Sequence, residues 1–200
     1  MRKCTSIMAS AIVLGSTTLL NGCSPILAGS GALGASMLQE RSVGDAVNDI
    51  TIRGEINSFY IQTDVNNIFP DVSIEVHEGR VLLTGQVTDP AYRVEAVRLA
   101  WQPRGVKEVI NEIEVTSEES SPKQFAADAW ISTQAKAKLL LNNRIRSINY
   151  TVDTVNSTVY LMGVAQNEEE LAEATYEVSI VRGVKRVVSH VRLKDDPKRH

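Results

Sequence analysis

The chain has 200 residues, 43% hydrophobic and 22% charged, enough apolar material for one ordinary domain or two small ones. Its formal charge of −3 and pI of about 5.7, without a clustered basic and aromatic surface, exclude the profile of a nucleic-acid binder. It has two cysteines, Cys4 and Cys23.

In chain order, Arg2 and Lys3 form a short positive start, and Ile7 to Leu20 is apolar or small and uncharged, too short to span a bilayer. This run ends in Leu20-Asn21-Gly22-Cys23, which resembles the bacterial lipobox: an aliphatic residue, a small residue, then the cysteine that takes the lipid. Residues 1–22 are therefore expected to be a cleaved signal peptide and Cys23 the site of acylation, palmitate included. Ser24 follows where, in the enterobacterial sorting scheme this resembles, Asp would retain a lipoprotein in the inner membrane. The expected location is the periplasmic face of the outer membrane. Cys4 leaves with the signal and Cys23 carries lipid, so no thiol remains for a disulfide or zinc framework.

Residues 23–43 read as the lipidated cysteine and a flexible Gly, Ala and Ser-rich tether, spanning about 25 Å on average. Gly29-Ser30-Gly31-Ala32-Leu33-Gly34 matches G-x-G-x-x-G formally, but five residues after the lipid cysteine there is no room for the strand a dinucleotide site requires.

Beyond the tether the sequence repeats. Val81-Leu82-Leu83-Thr84-Gly85-Gln86-Val87 returns as Val159-Tyr160-Leu161-Met162-Gly163-Val164-Ala165, and Gly105-Val106-Lys107-Glu108-Val109 as Gly183-Val184-Lys185-Arg186-Val187, both at an offset of 78. Asp49, Ile52 and Ile56 answer to Asp128, Ile131 and Ala135 at 79. Each copy predicts a helix (about Val47 to Tyr60; about Phe125 to Leu141) and two alternating runs joined by short turns at His77-Glu78-Gly79 and Val155-Asn156-Ser157. A second helix opens near Asp89-Pro90 or Asn167, and a last strand runs from Val106 to Val115 or from Val184 to Leu193. The expected fold is α+β: two tandem αββαβ domains, at 44–116 and 124–194, each a three-stranded mixed sheet covered on one side by two helices. A linker at 117–123 separates them, and 195–200 is a polar tail.

A Gly in the second strand (Gly85, Gly163) and a later Gly-Val-x-x-Val (Gly105 to Val109, Gly183 to Val187) resemble the BON domain family, over about Gly44 to Lys194. Arg41-Ser42-Val43-Gly44, Trp130-Ile131 and Leu161-Met162-Gly163 add to the likeness. Two BON domains behind a lipobox resemble the outer-membrane lipoproteins of Gram-negative bacteria with this layout. That resemblance implies a non-enzymatic protein that binds anionic phospholipid, phosphatidylglycerol or cardiolipin, and supports the outer-membrane barrier, with the division site as a place of action.

Charge divides unevenly. Residues 23–122 hold 7 Lys and Arg against 15 Asp and Glu, whereas residues 123–200 hold 12 against 9. An anionic membrane should repel the first domain and attract or tolerate the second. On a helical wheel Ile131, Ala135 and Leu139 suit the core, while Trp130, Gln134, Ala137 and Leu141 occupy another face, flanked by Lys136 and Lys138. An apolar stripe with an aromatic ring and lysines suits an interfacial helix. The first copy is polar at the matching Thr51, Glu55, Ser58 and Gln62. The alternative is that Trp130 and Leu141 pack against the other domain. Trp101 shares a stripe with Val94 and Val97 and is expected in the core.

No catalytic constellation is visible. His77, His190 and His200 stand apart, no phosphate loop or nucleophile elbow occurs, and Glu168-Glu169-Glu170 reads as a solvated first turn of a helix. No enzyme activity, cofactor, metal or small-molecule substrate is expected. Two functions remain, a membrane-binding module and an adaptor for an envelope protein such as an outer-membrane assembly machine.

Overall fold

The computed structural model describes residues 39–63, 71–117 and 121–199; the signal, Cys23 and most of the tether lie outside the described residues. The first domain runs α1 (Val43–Thr63), β1 (Val72–His77), β2 (Arg80–Val87), α2 (Pro90–Ala100) and β3 (Glu108–Val115). The second repeats it as α3 (Pro122–Leu141), β4 (Tyr150–Val155), β5 (Thr158–Ala165), α4 (Glu168–Ser179) and β6 (Arg186–Leu193), with one-turn 3-10 helices at Ser147–Asn149 and Pro197–Arg199. In each sheet the central strand pairs antiparallel with the strand before it and parallel with the strand after it. This is the expected αββαβ order, twice.

The hairpin turns have two residues, both with positive φ: Glu78 and Gly79, then Asn156 and Ser157. That geometry suits the right-handed twist of the flanking strands. One buried carboxylate from the preceding helix holds each turn. Asp49 accepts from the Glu78 and Gly79 backbone N–H groups at 2.9 and 2.8 Å, and Asp128 accepts from Asn156 and Ser157 at the same distances. The aspartates that mark the repeat in the sequence thus tie helix to hairpin.

Alternation along the central strands separates two faces. Val81 and Leu83 join Ile52, Ile56 and Tyr60 of α1 and Leu99 of α2 in one core, and Val159 and Leu161 join Ile131, Ala135, Leu139 and Val178 in the other. Leu82, Tyr160 and Met162 point the opposite way and meet each other, with Ile110, Val155 and Val188 packed alongside. The helix-free faces of the two sheets therefore lie against one another, giving four layers in the order helix, sheet, sheet, helix.

This junction carries polar pairs as well as the apolar cluster. The facing row of β3 is Glu108, Ile110, Glu112 and Glu114; that of β6, at an offset of 78, is Arg186, Val188, His190 and Arg192. They pair in crossed order: Glu108 with Arg192 at 2.7 Å, Glu112 with His190 at 2.9 Å and Glu114 with Arg186 at 3.9 Å. Such crossing is the signature of a pseudo-two-fold axis. Arg80, almost fully buried, adds a bond to Glu108 at 2.8 Å and another to the His190 carbonyl at 3.0 Å, and Thr84 donates to Asp153. At the periphery Arg199 grips Glu78, and Glu40 pairs with Arg146 at 2.9 Å and Lys194 at 3.4 Å.

Several local expectations need correction. Trp101 and Val94 are 51% and 66% exposed; Ala96, Leu99 and Ala100 face the core instead, with Tyr92 and Val97 at its margin. Glu170 is buried rather than solvated, accepting from the Gln166 and Arg146 backbone N–H groups at 2.8 Å each while its own N–H is capped by Asn167. Helix α3 starts at Pro122, inside the stretch expected as linker, because Ser121 caps it by accepting from Gln124 N at 3.1 Å. Helix α1 likewise starts earlier, at Val43, with Ser42 Oγ accepting from Asp45 N at 3.0 Å.

Two substitution sets test this architecture. Gly163 has φ +140° and a Cβ there would sit 1.9 Å from the Asn149 carbonyl oxygen, so Gly163→Ala must push two strands apart. We expect a loss of about 3 kcal/mol or more, or no folded protein, by urea unfolding. In a double-mutant cycle, Glu108→Ala and Arg192→Ala should couple by about 1 kcal/mol, screened by salt because Glu108 is partly exposed. Strict additivity at low salt would mean that the charged rows do not act together.

Candidate lipid-facing surface

Helix α3 buries Asp128, Ile131, Ala135 and Leu139 against its sheet, a stripe that fixes where every other side chain points. Trp130, Gln134 and Leu141 are left on the outer side with Ala137 half-buried among them; Trp130 is 48% and Leu141 79% exposed. Trp130 takes no part in the apolar cluster between the sheets. The four stripe residues share one face.

The two lysines do not. Lys138 reaches sideways to α4, where its ammonium lies 3.1 Å from Glu177 and holds that carboxyl below its ordinary range. Lys136 turns the other way, into a groove of about 520 Å³ between the domains that is also lined by Asp71, Glu75 and Asp153. Burial raises the Glu75 carboxyl above its usual range, Arg53 opposes the rise, Asp153 adds to it and Lys136 opposes it again. An anion would meet more carboxylates than cations in that groove.

What α4 adds was not read from the sequence. Lys138 bonds Glu177 while Asn142 bonds Glu173 and Glu177, at 2.9 and 3.2 Å, so α3 and α4 run antiparallel side by side. Continuing that register brings the end of α4 toward Gln134, and Ile131 indeed packs beside Gly183, whose missing Cβ would lie 3.2 Å from Ile131 Cδ1. Exposed Tyr176 and Ile180, with exposed Arg182, thereby extend the Trp130 surface. The available signal was that Tyr176 and Ile180 stand off the Glu170, Ala174, Val178 core stripe of α4.

The two described histidines lie away from this surface. His77 is buried, and burial together with Arg41 pushes its pKa down to about 4, so it is neutral at pH 7. His190 serves the sheet junction. Among the described residues no group of three or more His, Cys, Asp or Glu side chains is placed to hold a metal ion, and no helix is long and apolar enough to cross a membrane.

The model of the BON domain matches twice, at residues 48–117 and 127–195. The chain belongs to the BON domain family. Among similar proteins, an uncharacterised protein of Anaplasma centrale from the gshII 5′ region is 45% identical over 148 residues, 74% of this chain and 96% of its own. The outer membrane lipoprotein DolP of Haemophilus influenzae is 31% identical, covering 92% of this chain and 95% of that one. The osmotically-inducible protein Y of Escherichia coli is 27% identical over 94% and 92%.

Proposed function

We propose that this BON-domain protein is an outer-membrane lipoprotein, held through acyl chains on Cys23 at the periplasmic face, that binds anionic phospholipid through the outer side of α3 in its second domain. The reading includes support of outer-membrane integrity, with action at the division site, and no enzymatic step. The observation that carries it is Trp130: a large aromatic, half-exposed beside Leu141, on a face that neither its own core nor the other domain covers. Similarity to an outer membrane lipoprotein along nearly the whole chain supports the location and the anchor.

Ion pairing shapes the mechanism. With Lys138 engaged by Glu177 and Lys136 turned to the groove, attraction to headgroups falls to exposed Arg182 and Lys185 on the turn after α4 and to Lys123 at the start of α3. Insertion of Trp130, Leu141 and Ile180 supplies the larger part, and phosphatidylglycerol or cardiolipin oxygens find the cations at its rim.

Flotation of residues 39–200 with phosphatidylglycerol or cardiolipin vesicles tests the site. Trp130→Glu should lower vesicle affinity at least about ten-fold while changing stability within about 0.5 kcal/mol, the range of a surface substitution, against about 3–5 kcal/mol for a buried Trp. Thr51→Glu, in the acidic first domain, should bind as wild type. A Trp130→Glu protein that melts normally and still floats removes the site from this helix; wild type that never floats favours the adaptor for an envelope protein. The anchor is tested separately. Wild type should take up labelled fatty acid, and Cys23→Ala should take up none and leave the membrane fraction or accumulate unprocessed.

A further inference from the structure

Helix α1 carries an apolar stripe that its core does not use and that the second domain leaves largely exposed, only Ile50 bordering a groove shared with residues 148–151. Val43, Val47, Ile50 and Ile61 are 63%, 57%, 71% and 74% exposed. Apart from its own stretch of helix backbone, Gly54 between them has nothing within 4 Å of where a Cβ would stand, and Asn57 is exposed as well. These six positions follow one another at steps of 4, 3, 4, 3 and 4 residues. That is the spacing of a helix-pairing seam, and it sits opposite the buried Asp49, Ile52, Ile56 and Tyr60. No residue of the seam is charged. At an offset of 79 the second copy has Pro122, Ala126, Ala129, Thr133, Lys136 and Leu140, so the seam belongs to the first domain alone.

We propose that a second copy of this chain packs on α1, parallel to it, with Gly54 at the point of closest approach. Asn57 selects this occupant over lipid or an apolar protein groove, where its amide would lose water and gain no partner. Across a two-fold axis it meets another Asn57, and an amide both donates and accepts. Gly54 offers backbone to backbone contact at the centre of the seam, and Val47 and Ile50 supply the β-branched packing beside it. An anionic bilayer is disfavoured further by Asp45 and Glu55 on the same helix. Direction follows from the chain outside the described residues, and in this respect rests on the anchor reading: sixteen positions separate Gln39 from Cys23, and copies held by Cys23 in one leaflet present α1 from the same end.

The test uses the full-length chain in native membranes, with single cysteines introduced as Val47→Cys or Ile61→Cys and a short thiol cross-linker. Both variants should form a dimer of this chain, because in a parallel pair each position faces itself. Adding Gly54→Leu to either should cut the dimer yield at least ten-fold; the open space at Gly54 and the better helix propensity of Leu keep that variant folded, as an unchanged melting curve of the purified protein will show. Cross-linking of the parent chain would report a free native cysteine, Cys4 of an uncleaved signal or Cys23, and sink the anchor reading on its own, in which case the same series is run with both replaced by alanine. The homotypic seam is overturned if either variant stays monomeric, if it cross-links to a different protein, or if Gly54→Leu leaves the yield unchanged.

Discussion

A three-stranded sheet has two faces and, in this fold, helices for only one. The other face would leave Leu82, or Tyr160 and Met162, in water, and each domain settles this by presenting its bare face to the other. The apolar centre is small, so the rest of the contact is carried by polar pairs: three carboxylates of β3 against two guanidiniums and an imidazole of β6. Interfaces between domains of one chain are commonly of this mixed kind. Everything else takes its place from it. With sheets inside, α1 and α3 lie on the outer layers, and whatever is not core on those helices is offered to solvent or to partners.

The same contact gives the uneven charge of the two halves a second meaning. From composition alone, an acidic first domain and a basic second one suggest attraction of one of them to an anionic membrane. In the folded chain Arg186 and Arg192 are matched by Glu114 and Glu108, Arg146 and Lys194 by Glu40, and Arg199 by Glu78. Much of the asymmetry is complementarity within the molecule. The lipid binding proposed for α3 would then lean on aromatic and aliphatic insertion more than on net charge.

The repeat made the fold readable: two shared glycines, two helix-borne aspartates and offsets of 78 and 79 locate ten elements, and periodicity separates core from surface on α1 and α3. Periodicity failed where helices are short. On α2 a stripe through Val94, Val97 and Trp101 looks as coherent as the true one through Ala96, Leu99 and Ala100, because eleven residues give barely three turns to discriminate between faces. The sheet junction was hidden for a different reason. Glu108, Glu112 and Glu114 alternating with Val109, Asn111, Ile113 and Val115 read as a strand with one wet face, and a row of charges looks solvated until its opposite row is seen. For the candidate site, the exposure of Trp130 and Leu141 was legible from the wheel. The destinations of Lys136 and Lys138 were not, since a lysine stem reaches to either side of its helix and only the neighbouring α4 and the groove decide which.

The crossed pairing of β3 with β6 has the geometry of a symmetric dimer written into a single polypeptide. Two identical copies of the first domain joined in that way would set Glu108, Glu112 and Glu114 against their own images, six carboxylates on one contact with only the Arg80 of each copy to offset them. Two copies of the second would gather arginines in the same manner. Divergence of the two rows has therefore made the halves mutually dependent: neither can replace the other by gene conversion or recombination without reversing the sign of half the contact. Their composition as an unlike pair is what the contact fixes.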